Sequence, residues 1–248
     1  MRWLLLTASV TPDPNFTVAI NDPRLRRAQY VAALSAWQKD PVLEEYGLIL
    51  LENTGADLDA LLADANMRAS STVRPIACAS PSPSSTSGGK GAAEASMLDY
   101  ALGLQGLIDD NDLVVKVTGR LYVRRLEHLL RRRRSPASIT LRTTLDLSYA
   151  DTRLFAMNGD LFRRAFSGMG AMVREQEGKY LEHVLAMRTV EARFRHGAIL
   201  SRFDGRPVFV GSSGTSGSDY FSSRTMLRHV STAPVEAILR RVSPDKQF

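Results

Sequence analysis

LVVKVTG, residues 113–119, is a short Val-rich run closed by Thr-Gly, and RLYVRRLEHLLRRRR, residues 120–134, follows it. An apolar run of this length ended by glycine reads as a strand buried on both faces. Lys116 interrupts the run, and Arg120 opens a basic segment. Residues 116–142 hold nine Lys or Arg against one acid, Glu127. Such a segment is either a wall for an anionic ligand or a charged surface. Arg131, Arg132, Arg133 and Arg134 are consecutive and cannot all enter one pocket, so part of the segment is surface, suited to anionic membrane.

The pattern upstream places this strand in a series. RWLLLT (2–7), YGLILLEN (46–53) and TVRPIACA (72–79) read as strands. DPRLRRAQYVAALSAWQ (22–38), DLDALLADAN (57–66) and AAEASMLDYALGLQG (92–106) read as helices between them. Asp22 is placed as an N-cap with Pro23 at the first helical position. Four strands alternating with three helices predict an α/β fold, a mostly parallel sheet covered by helices on both faces. SPSPSSTSGGKG (80–91) reads as a long functional loop inside one domain, since three strands without the fourth make a poor core.

Downstream the pattern changes. ASITLRTTLDLSY (137–149) reads as an edge or antiparallel strand, and TRLFAMN (152–158) as a short strand leading into the helix GDLFRRAFSGM. REQEGKYLEHVLAMRTVEARFRHG (174–197) reads as one long helix and GRPVFVG (205–211) as a last strand. The expectation is a single domain over 1–248, with a ligand-binding half in 1–120 and a catalytic half in 121–248.

Composition narrows the function. The 248 residues carry a formal net charge of +6, which favours anionic partners. Aromatics are 7%, low for stacking on single-stranded nucleic acid, and no helix-turn-helix, RNA-recognition or zinc motif is present. One cysteine, Cys78, excludes an internal disulfide and a Cys-x-x-Cys zinc site, and fits a reducing cytoplasm. It ends an apolar run with no nearby histidine and reads as core. The apolar stretch at residues 3–6 is too short for a secretory signal, and no run is long enough to span a bilayer. His128, His196 and His229 have no metal-ligand spacing.

In an open parallel sheet, ligands bind beyond the carboxyl ends of the strands. The segments there are TASVTP with Thr7, ENTG with Glu52 and Asn53, the loop with SGGKG and Lys90, and TGR with Arg120. Together they suit a nucleotide and its phosphates. A phosphate beside Lys90 would also meet the N-terminus of the following helix. Lys116, just before TGR, joins this phosphate-binding set. The Walker pattern fails, because Ser84 and Gly91 stand where Gly and Ser or Thr are needed. No G-x-G-x-x-G follows the first strand. GSSGTSGS (211–218) is no nucleophile elbow, since Ser218 stands where Gly must.

LLENTG (50–55), GGKGAAEASMLDYAL (88–102), VVKVTGRLYV (114–123), ADTRLFAMNGDLF (150–162), GKYLEHVLA (178–186) and VFVGSSGTSG (208–217) occur in this order. In these motifs the chain resembles a group of bacterial glycosyltransferases with a GT-A-like, Rossmann-type fold that build surface polysaccharides. The resemblance runs from about Leu4 to Tyr220. It departs at Leu121, where a tyrosine usually follows Gly-Arg; Tyr122 is adjacent.

The resemblance implies transfer of a sugar from a nucleotide-sugar donor to a glycan or lipid-linked acceptor, in the cytoplasm or peripherally at the inner face of the cell membrane. The donor diphosphate would meet Lys90, Arg120 and Arg153, while Glu52 and Asn53 would line the nucleoside or sugar pocket. Ser213 and Gly214 would belong to a loop closing over the donor. Asp151 and Arg153 read either as donor-site residues or as a structural ion pair. Asp151 is the one candidate ligand for Mn²⁺ or Mg²⁺, and whether a cation is used stays open because Arg153 stands where many such enzymes have a second acid. Glu182 is the expected general base, with His183 second; the alternative is a plain surface glutamate. The rival reading is a non-enzymatic basic protein binding nucleic acid or anionic membrane.

Overall fold

The computed structural model describes residues 1–11, 20–78, 89–131 and 135–211. Strands β1 (Arg2–Ala8), β2 (Gly47–Glu52), β3 (Val73–Ala77) and β4 (Leu113–Thr118) are mutually parallel. Three further strands complete the sheet, β6 (Ser138–Thr140), β7 (Leu154–Asn158) and β8 (Ile199–Ser201), in the order β3-β2-β1-β4-β7-β6-β8. Only β7 runs against the rest, antiparallel to β4 and β6. The expected α/β architecture, a mostly parallel sheet covered by helices on both faces, is the one present.

The β1 side chains explain the layers. Trp3 and Leu5, with Ile49 and Leu51 of β2, enter a core with helices α4 (Gly89–Gly103), α6 (Gly159–Phe166) and α7 (Leu181–His196). Leu4 and Leu6, with Leu48 and Leu50, enter a second core against α1 (Pro23–Gln38), α3 (Leu58–Asp64) and the short helices α2 (Val42–Glu45) and α5 (Leu126–Leu130). Successive strand residues face opposite ways, so near-continuous apolar runs are what a sheet covered on both faces requires. Asp22 caps α1 through Arg24 N at 2.8 Å, with Pro23 at the first helical position as expected. Asp57 caps α3 through Ala60 N at 2.9 Å.

The second half differs from expectation in three ways. Only Ser138–Thr140 of residues 137–149 forms a strand; it is antiparallel to β7, one of the two expected readings, but lies inside the sheet between β7 and β8, not at an edge. The expected helix over 174–197 begins at Leu181. Glu175–Glu177 is a single 3-10 turn, ended by Gly178 in the left-handed region at φ 75°. The last strand, β9 (Val208–Val210), pairs with β5 (Tyr122–Arg124) in a separate antiparallel ribbon. Among the described residues no helix is long and apolar enough to cross a membrane.

Candidate active site

From β1 the chain builds outward through β2 and β3, then returns to lay β4 on the other side of β1. That reversal opens a crevice at the carboxyl ends of β1 and β4. Because β7 is antiparallel, its start reaches the same edge, where Arg153 O accepts from Thr118 N at 3.0 Å. The two loops close tightly. Gly119 N donates to Thr7 O at 2.9 Å, and a Cβ on Gly119 would lie 2.6 Å from that oxygen. The Thr-Gly-Arg turn therefore needs its glycine.

Strand register sets the polar centre of this edge. Thr7 lies opposite Thr118 and Leu5 opposite Lys116, so Thr7 and Lys116 share the face toward α4. Glu94 of α4 meets both. Its Oε1 accepts from Thr7 Oγ1 at 2.8 Å and from Lys116 Nζ at 2.5 Å. Lys116 also donates to Thr152 O at 2.6 Å and Thr118 Oγ1 at 3.3 Å. Thr152 Oγ1 in turn donates to Glu182 Oε1 at 3.0 Å. A continuous polar line thus crosses β1, α4, β4, the start of β7 and the start of α7. Lys116 is completely buried with its three N–H groups engaged, which corrects the expectation that it touches phosphate.

Glu52 is a second correction. It is fully buried and faces the backbone of its own edge, not a pocket. Oε1 accepts from Val10 N at 3.2 Å, and Oε2 accepts from Thr54 N at 2.8 Å and Ala56 N at 3.1 Å. The Thr54 hydroxyl donates to Oε1 as well. Glu52 therefore ties the loop after β1 to the loop after β2. Asn53 is buried beside it, its Oδ1 accepting from Ser9 Oγ at 2.6 Å. Arg26 lies under the same loop, donating to Ser9 O at 2.6 and 2.8 Å, and burial lowers its pKa.

Arg120 is half-buried at the crevice, and its charge acts on both Glu94 and Arg26. Lys90 sits in the first turn of α4. The chain's own carboxylate, Glu175, already accepts from Gly91 N at 2.7 Å there, where a phosphate was expected.

Asp151 and Arg153 form an ion pair. Arg153 Nε donates to Oδ1 at 2.8 Å, its terminal nitrogen donates to Oδ2 at 2.6 Å, and its guanidinium lies 4.5 Å from the Phe209 ring centre. Both Asp151 oxygens already accept from Arg153, so a divalent cation there would compete with the guanidinium for them. Among the described residues no three His, Cys, Asp or Glu gather as a metal group.

Burial pushes the Asp151 carboxyl up, but the Arg153 hydrogen bonds and charge outweigh it and hold the group below the usual carboxylate range. A depressed folded-state pKa stabilises above the unfolded value near ~4 and loses that contribution as pH falls through the folded value. Urea unfolding at stepped pH should show stability falling below about pH 4. Asp151→Asn should flatten that fall; an unchanged slope would show that the pair contributes nothing.

Glu182 opens α7 with Oε1 on Thr152. His183 Nδ1 accepts from Tyr180 N at 3.1 Å as part of the helix cap. Nδ1 is thus engaged by the chain's own backbone. Its ring also contacts Tyr149 and Tyr180. Tyr122 does not stand in for the aromatic missing at Leu121. It packs edge-on to Trp37 at 4.8 Å and donates to Asp40 Oδ2 at 2.5 Å. Cys78 is core, its thiol pushed by burial to about 12.

The structure thus brings Thr7, Asn53, Arg120, Asp151, Arg153 and Glu182 to one sheet edge, with Lys116 and Glu52 as buried supports. Ser213, Gly214, Arg132, Arg133 and Arg134 lie outside the described residues. Glu94 was missed as a site residue. The signal for it was Lys116 itself, since a lysine inside a doubly covered strand requires a buried acceptor.

No family model matches the sequence, and no curated protein matches it. Among solved structures the chain is similar to galactosyltransferase LgtC with donor and acceptor sugar analogs, at TM-score 0.49 and 14% identity over 80% of this chain and 73% of that one. It is similar to the 2-C-methyl-D-erythritol 4-phosphate cytidylyltransferase of Francisella tularensis, at TM-score 0.43 and 8% identity over 93% and 98%. It is also similar to mouse xyloside xylosyltransferase 1 in its apo form, at TM-score 0.42 and 10% identity over 82% and 85%. Likeness at this level assigns no activity.

Proposed function

We propose that this chain is a glycosyltransferase that moves a sugar from a nucleotide-sugar donor to a glycan or lipid-linked acceptor in bacterial surface polysaccharide synthesis. The observation that carries the reading is the gathering at the β1–β4 crevice of cationic Arg120, the carboxylates Glu94 and Glu182, and the polar line linking them. Residues 1–120 would supply the nucleotide-sugar half and 121–248 the acceptor half.

Arg120 and Lys90 would balance the donor diphosphate, with Arg153 nearby. The acceptor oxygen attacks the anomeric carbon while the bond from that carbon to the diphosphate oxygen breaks. Glu182 takes the hydroxyl proton through Oε2, since Oε1 is held by Thr152. The work would take place at the inner face of the cell membrane, with the basic segment that includes Arg131 suited by its charge to anionic lipid.

A thermal-shift screen against UDP, GDP, CMP and dTDP sugars, with and without Mn²⁺ or Mg²⁺, tests this. A ligand at 100 times its dissociation constant stabilises by about 2.7 kcal/mol. One nucleotide class should raise the melting temperature, and Arg120→Ala should abolish the shift. Silence toward every nucleotide sugar would overturn the reading.

A further inference from the structure

The Lys116–Glu94 pair calls for an explanation beyond packing. Lys116 is wholly buried, whereas the Glu94 side chain is 23% exposed. Buried ion pairs are often no more stabilising than apolar replacements, so a lysine inside a core strand is a costly way to hold a sheet together. What this pair does achieve is to fix a carboxylate in place at the ligand edge.

Its two oxygens differ. Oε1 is occupied by Thr7 Oγ1 and Lys116 Nζ. Oε2 accepts no hydrogen bond among the described residues and is not among the buried unsatisfied atoms. The open oxygen is therefore on the part of Glu94 that stays accessible, beside the Thr7 and Lys116 groups at the carboxyl end of the sheet. Burial pushes the carboxyl up, but the charge and hydrogen bond of Lys116, the Thr7 hydroxyl and the Arg120 charge outweigh it and hold the group below the usual range. An ionised carboxylate only accepts, so its ligand must bring a donor. A phosphate oxygen brings none and carries like charge. Arg120 beside it suits the phosphate, which leaves the carboxylate for the neutral, hydroxyl-bearing part of the donor.

Resting on the glycosyltransferase reading, we infer that Glu94 is a donor-specificity residue whose Oε2 accepts a hydrogen bond from a hydroxyl of the transferred sugar. Lys116 and Thr7 are its positioning residues. A single hydrogen bond to a charged acceptor corresponds to about 10- to 100-fold in affinity.

Isothermal titration of the full chain with UDP-glucose against UDP, GDP-mannose against GDP, and dTDP-glucose against dTDP tests this. The variant is Glu94→Gln/Lys116→Met, which removes both charges and keeps an acceptor for Thr7. Glu94→Asp, which keeps the charge and draws the carboxylate back by one methylene, serves if the double variant does not fold. In either variant the nucleotide sugar should lose about 10- to 100-fold in affinity while the bare diphosphate stays within about twofold of wild type. Equal affinities of wild type and variant for the nucleotide sugar would overturn the inference and leave Glu94 a counter-ion for Lys116. A parallel loss for the bare diphosphate would move the hydroxyl to the ribose and overturn the sugar assignment. Failure of the wild type to bind any of the six compounds or a CMP sugar would sink the glycosyltransferase reading, and the inference with it.

Discussion

Lys116→Met should lower the unfolding free energy by about 3–5 kcal/mol, because it leaves Glu94 ionised beside an apolar core. Partial exposure of Glu94 places the loss toward the lower end. For a chain of this size each kcal/mol corresponds to roughly 2–4 °C, so the melting temperature should fall by roughly 6–20 °C. The loss comes from the stranded charge and not from the missing ammonium. The double variant Glu94→Gln/Lys116→Met should accordingly return to within about 1 kcal/mol of wild type. Urea denaturation of the two variants checks both numbers. Wild-type stability in Lys116→Met would mean that Lys116 is solvated and the polar line broken at its centre.

Glu52→Ala should cost about as much, near 3–5 kcal/mol, for a different reason. The side chain accepts from the N–H groups of Val10, Thr54 and Ala56 and from the Thr54 hydroxyl. Each buried donor left without a partner costs about 1–3 kcal/mol, and water entering the space would recover part of it. The effect also separates two roles. A Glu52 that lined a ligand pocket would lose binding on truncation and leave chemical denaturation unchanged. A Glu52 that ties two loops together lowers the denaturation midpoint whether or not ligand is present, and a midpoint equal to wild type would refute that bracing.

How far the site was legible in the sequence depended on what each residue's position reveals. The position of Arg120 at the sheet edge was legible because it follows a strand end, and every carboxyl end of the parallel strands falls on one edge. Glu182 was singled out through the resemblance; that it opens a helix was not read, because the helix was expected to begin at Arg174 and begins at Leu181. Glu52 was placed at the correct edge but faced the wrong way, since which oxygen meets which N–H depends on how the loops after β1 and β2 approach each other. The expected long helix over 174–197 ignored Gly178, a break that was visible in the sequence. The ribbon of β5 with β9 was not visible, because its strands have three residues each and lie more than eighty positions apart.

By itself the sequence determined the layered α/β sheet, because local apolar runs, an Asp-Pro helix start and glycine strand ends act over a few residues and point the same way. It did not reveal that Lys116 points into the core; from sequence Lys116 reads as a phosphate ligand. Only the tertiary structure decided its partner. Glu94 lies 22 residues before Lys116, on a helix whose rotation over the sheet is set by packing, and Thr7 reaches both only because β4 returns beside β1. The same return brings Thr152 and Glu182 into the line. Contacts between distant segments depend on chain reversal and helix orientation, which arise from the whole core and which no short stretch of residues encodes.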